Sequence, residues 1–117
     1  METYLSRRRR HLRSERYDKV WKKLRPALEF LYEQGATEIL LFGSITDRKK
    51  FTENSDIDLA VRGLPEEKRL EIEGRLEDIL GNLEYDLIFL EEENEVRDEI
   101  TRRIKEEAIR WKPSLST

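Results

Sequence analysis

The sequence predicts a small α/β domain, and three observations carry that prediction. An apolar run at 39–42 ends in Gly43-Ser44. A second run, Asp56-Ile57-Asp58-Leu59-Ala60-Val61, alternates apolar residues with two acids and alanine. Around these runs lie stretches whose apolar residues recur at helical spacing. Short strand-type runs separated by helical patterns describe helices packed on a small sheet.

In chain order, residues 1–16 read as a basic arm. Arg7, Arg8, Arg9 and Arg10, with Arg13 and Arg16, surround His11, the sole histidine. From Tyr17, the positions Val20, Trp21, Leu24, Leu28 and Leu31 mark an amphipathic helix ending near Gly35, which Pro26 either kinks or restarts. The strand at about 38–42 is continuously apolar from Ile39 to Phe42, as expected when both faces are buried. After the second strand, Pro65 suits the first turn of a helix with Ile72, Leu76, Ile79 and Leu80 on its buried stripe, stopped by Gly81-Asn82. Residues 83–90 read as a third strand. Asn94 is a suitable N-cap for a last helix whose stripe is Val96, Ile100, Ile104, Ala108 and Trp111. The main domain is thus expected over 17–112, with a loose tail at 113–117.

Composition narrows the function classes. A chain of 117 residues holds one core and little more, so a separate substrate-recognition domain has to come from elsewhere. The absence of cysteine excludes disulfides and thiolate metal sites. No apolar stretch approaches the length of a membrane span, and no apolar segment follows the basic start as in a signal peptide, so a cytoplasmic protein without membrane contact is expected. The formal charge of −3 conceals an asymmetry. Residues 1–25 carry ten Lys/Arg and three Asp/Glu, a net +7, and the remainder carries thirteen and twenty-three, a net −10. The basic end is a candidate nucleic-acid contact, or a solvated terminus that touches acidic surface of the same or a neighbouring copy, which leaves self-association open.

The chemistry concentrates between 43 and 86. Glycine permits close ligand approach at the turn, and Ser44 stands at its mouth. Asp56 and Asp58 lie two strand positions apart, roughly 6 to 7 Å. Two negative charges at that distance repel by about 2 to 3 kcal/mol at an effective dielectric near 20. A cation between them is expected, and hard oxygen ligands suit Mg²⁺ holding a nucleotide's phosphates. Arg48, Lys49 and Lys50 in the intervening polar loop could assist phosphate binding. Asp86 is an acid within a largely apolar run, where an unpaired buried carboxylate is costly, so it either faces solvent at a sheet edge or serves a site, with Glu84 a poor competitor near the strand start.

Gly43-Ser44, followed twelve positions later by Asp56-x-Asp58 within Ser-Asp-Ile-Asp-Leu-Ala-Val, resembles the signature of minimal nucleotidyltransferases in the polymerase-beta-like superfamily. The resemblance implies a small mixed sheet with helices packed against it. It also implies transfer of a nucleoside monophosphate, AMP from ATP, to a hydroxyl acceptor. Asp56, Asp58 and Asp86 would be the catalytic and metal-binding acids, with Gly43 and Ser44 binding the nucleotide. Minimal enzymes of this kind are similar to antitoxins paired with HEPN-domain toxins, which implies a protein acceptor. The loop departs from the common Gly-Ser-x-Ala-Arg-Gly pattern, with Asp47 where a basic residue is frequent and Arg48 in place of the second glycine. A non-catalytic module that masks its partner is the alternative in another class, and nucleic-acid binding through the arginine run is a third.

Overall fold

Helix α1 (Tyr4–Glu33) runs unbroken for 30 residues in the computed structural model, which describes residues 3–91, 102, 104 and 106–113. The basic arm is therefore the first half of this helix, and the start expected at Tyr17 lies at Tyr4. Thr3 explains the start, because its hydroxyl accepts the Ser6 amide at 3.1 Å and satisfies a donor left open at the helix end. No glycine or β-branched residue interrupts 4–19, and arginine and leucine are good helix formers. Pro26 sits exposed on the outer side and does not end the helix. Burial begins at Val20 and continues through Leu24, Ala27, Leu28, Phe30 and Leu31. Leu28 and Leu31 are fully enclosed, each contributing about 1.5 to 3 kcal/mol relative to exposure.

Strands β1 (Glu38–Phe42), β2 (Ile57–Arg62), β3 (Tyr85–Phe89) and β4 (Ile109–Arg110) form one mixed sheet in the order β3-β2-β1-β4. β1 runs antiparallel to β2 and β4, whereas β2 and β3 are parallel. Parallel neighbours need a crossover, provided by helix α2 (Arg69–Leu80) after a 3₁₀ turn at Glu66–Lys68. Pro65 precedes that turn, and Gly81, at φ +63°, ends α2 in the left-handed region.

The two sheet faces have different partners. Ile39, Leu41, Ile57, Leu59, Val61 and Phe89 join the buried residues of α1 and α2 in the main core. On the opposite face, Leu40 and Ala60 pack with Leu90 and Ile104, so the centre of β1 is covered on both sides. The last helix differs from its expected course. Arg102, Ile104, Glu106 and Glu107 are helical, but Ile109 and Arg110 form β4 where the stripe was expected to reach Trp111. The open edge of β1 supplies backbone partners, and the Trp111 amide donates to the Ile39 carbonyl at 2.9 Å. Arg110 pairs with Glu38, and Tyr32 Oη donates to the Trp111 carbonyl. Asn94, Val96 and Ile100 lie outside the described residues.

Candidate active site

The Gly43–Thr46 segment is a 3₁₀ turn directly after β1. Gly43 adopts φ +77°, and an ideal Cβ there would stand 2.5 Å from Asp58 Oδ2. Glycine is thus required twice, for its backbone conformation and for the carboxylate beside it. Ile45 is fully buried and pins the turn to the core. Tyr17 Oη donates to the Ile45 carbonyl at 2.9 Å, and Thr46 Oγ1 donates to the Gly43 carbonyl at 2.8 Å. Ser44, half-buried, follows Gly43 in this held turn.

The loop returns to β2 through a second anchor. Phe51 is buried, with its ring edge-on to Tyr17 at 5.5 Å between centroids. Ser55 Oγ accepts the Thr52 amide at 2.9 Å, and the Ile57 amide donates to the Glu84 carbonyl. These bonds deliver Asp56 to the start of β2. Phe51 and Tyr17 were missed as positioning residues; the available signal was a single aromatic in an otherwise polar loop.

Asp58 pairs in register with Phe42 on one side and Asp86 on the other. Because side chains alternate along a strand, Asp58 and Asp86 share the sheet face opposite α1 and α2. The register is enforced by packing, since Ile57, Leu59 and Val61 align with Tyr85, Leu87 and Phe89 on the helix-covered face. A slip of one residue would turn Asp86 into that core. Burial raises the Asp58 carboxyl above its usual range, and the charges of Asp86 and then Asp56 raise it further. Asp56 and Asp86 themselves are exposed, and β3 is an edge strand.

The expected three-aspartate metal set is only partly assembled. Among the described residues, no three His, Cys, Asp or Glu side chains are gathered closely enough to hold a metal ion. Like charges repel, so such a set has no reason to close without a cation between its members. The donor chemistry nevertheless suits a hard divalent ion. All three side chains offer oxygens, and a cation would relieve the repulsion that lifts the Asp58 carboxyl.

Arg48 is tied to α1. Its guanidinium bonds Asp18 at 2.7 Å and Ser14 Oγ at 2.8 Å and lies 4.7 Å from the centre of the Tyr17 ring. The charge-assisted bond from Arg48 holds the Asp18 carboxyl below its ordinary value. Asp47, the other departure from the common motif, accepts the Lys49 amide at 2.9 Å and stabilises the following turn.

A mixed sheet backed by helices, with a Gly-Ser turn against strand aspartates, defines a nucleotidyltransferase-type α/β domain. The family model Polymerase beta, Nucleotidyltransferase matches residues 28–108, and the chain belongs to that family, whose general reaction is nucleotidyl transfer. The fold is similar to the crystal structure of a candidate nucleotidyltransferase from Sulfolobus solfataricus, with a TM-score of 0.52 and 19% identity over 82% of each chain. No curated protein matches the chain in sequence. The matched span contains Gly43, Ser44, Asp56, Asp58 and Asp86.

Proposed function

We propose that this chain transfers AMP from ATP to a hydroxyl group on a partner protein, a HEPN-domain toxin, and so serves as its antitoxin. The observation that carries the reading is the placement of Asp58 between Asp86 on the neighbouring strand and Gly43 at the preceding turn. Asp56 and Asp58, with Asp86, would hold Mg²⁺. A divalent ion in such a site supplies charge stabilisation to the attacking and leaving oxygens of an in-line displacement. The backbone of Gly43 and the hydroxyl of Ser44 bind and orient the triphosphate. Asp86 takes the proton from the acceptor hydroxyl as its oxygen bonds to the α-phosphorus. The bond from that phosphorus to the α,β-bridging oxygen breaks, and pyrophosphate leaves.

Membership in the nucleotidyltransferase family supports the reaction class. No described helix is long and apolar enough to cross a membrane, in keeping with action on a soluble partner in the cytoplasm. The altered turn favours one second reading, a module that masks the partner without catalysis, since Asp47 and Arg48 depart from the common motif and Arg48 is engaged by Asp18 and Ser14.

The two readings separate when the chain is incubated with Mg²⁺, ATP labelled at the α-phosphate and a candidate HEPN protein. Label on the partner that disappears with Asp58→Asn supports transfer. Tight complex formation with no label on the partner supports masking. Label retained with Asp58→Asn removes the carboxylate site from the mechanism.

A further inference from the structure

Away from the carboxylates, a cleft of about 560 Å³ lies between α1, the loop after the Gly-Ser turn and the segment after β4. Its walls carry three aromatic rings, Tyr17, Trp21 and Trp111, and three cations, Lys22, Arg25 and Arg48. The sole acid there, Asp18, is already bonded to Arg48. The cleft also continues a charged stripe. Arg7, His11, Ser14, Asp18, Lys22 and Arg25 recur at spacings of three and four on α1, so they share one face over about 27 Å of helix. Arg48 lies across that face through its bonds to Ser14 and Asp18.

We propose that this cleft and stripe bind single-stranded nucleic acid, with a base against the tryptophans and phosphates on Lys22, Arg25 and Arg7. Half-buried aromatic rings beside cations are the combination that holds unpaired bases and their backbone, because every base offers a face for stacking while the phosphates follow the positive charge. A duplex keeps its base faces stacked and cannot use the rings. The acidic balance of residues 26–117 leaves α1 as the basic element, and this face of it adjoins the three rings. The proposal is independent of the transfer reaction, since no residue of the cleft belongs to the carboxylate site.

The test uses the full chain with 15-nucleotide mixed-sequence RNA and DNA strands and a duplex of the same sequence. Binding is followed by the chain's own fluorescence, because its two tryptophans are both in the cleft. Single strands should quench that fluorescence and bind more tightly than the duplex. For three phosphate contacts, the logarithm of affinity should fall with that of salt concentration at a slope of about −2. Lys22→Glu combined with Arg25→Glu should weaken binding at least tenfold and flatten the slope to about −0.7, with an unchanged circular dichroism spectrum. Preference between RNA and DNA would identify the natural source of the strand. The proposal is overturned by absence of binding at 50 mM salt, by binding without quenching, by equal affinity for duplex or for poly-glutamate, or by charge reversal without effect. Asp58→Asn should bind the strand as the wild type does. Its loss of binding would put the strand at the carboxylates and remove the cleft, whereas lost transfer with retained binding concerns the enzyme reading alone.

Discussion

Gly43 and Asp58 are fitted to each other across the β1-β2 pair, with only the missing Cβ of the glycine leaving room for the carboxylate. Gly43→Ala should therefore fail in two ways. A left-handed conformation costs a non-glycine residue about 1 to 2 kcal/mol, and the new methyl would displace Asp58. Denaturant unfolding should show that loss, and nucleotidyl transfer should fall more than tenfold. Gly81→Ala is the control, since its Cβ would meet only the flexible Lys23 amine at 3.3 Å. It should lose comparable stability with transfer intact.

Asp58→Asn should move stability and activity in opposite directions. The wild-type carboxyl is raised by burial and by the charges of Asp86 and Asp56, so its ionised form is disfavoured in the folded protein. The amide removes that penalty, and the metal-free variant should be at least as stable as wild type at pH 7. Transfer should drop on the order of 100-fold or more, as when one preorganised charge-stabilising group is removed.

The same residue fixes a pH signature. A carboxyl raised in the folded state binds its proton more tightly there than in the unfolded chain, so its contribution to stability falls as pH rises. The change begins near the ordinary value of 3.8 and is complete above the raised folded value. Unfolding curves for metal-free wild type and Asp58→Asn should accordingly converge toward pH 3.8 and separate above it, the variant being favoured. A difference that stays constant across that range would rule out burial and carboxylate repulsion at Asp58 as its origin.

Tyr17→Phe tests the support beneath the Gly-Ser turn. The hydroxyl bond to the Ile45 carbonyl is part-buried, and its loss should cost about 1 kcal/mol in thermal or denaturant unfolding. Transfer should decline through a higher KM for ATP if that bond positions Ser44. An unchanged KM would leave Tyr17 a packing residue.

Much of this arrangement is legible in the sequence because the informative residues are bounded by strong local patterns. Ile57, Leu59 and Val61 can point into the core only if Asp58 points out, so period two alone sets the aspartate on the opposite face. The pairing of Asp58 with Asp86 is different, because parallel register depends on how α2 returns the chain and on which residues of β3 fit the core. Only the family resemblance pointed to that neighbour. The direction of Arg48 was equally hidden. Its partner Asp18 lies thirty residues earlier, on a helix whose approach to the loop is fixed by Tyr17 and Phe51. At β4, the i+3 and i+4 spacing of Ile104, Ala108 and Trp111 is helical, yet the backbone bonds offered by β1 override it.

The two-residue strand β4 has a bearing on the order of assembly. It joins β1 across about seventy residues of chain, whereas Gly43, Ser44, Asp56, Asp58 and Asp86 all belong to segments complete by Phe89. β1 meets β2 at the next strand along the chain, and the α2 crossover then brings β3 alongside β2. Those nearer pairings close shorter loops and tend to form sooner. During synthesis, the acids and the Gly-Ser turn can therefore gather before the terminal clasp is available, and β4 closes a sheet whose chemistry is already aligned.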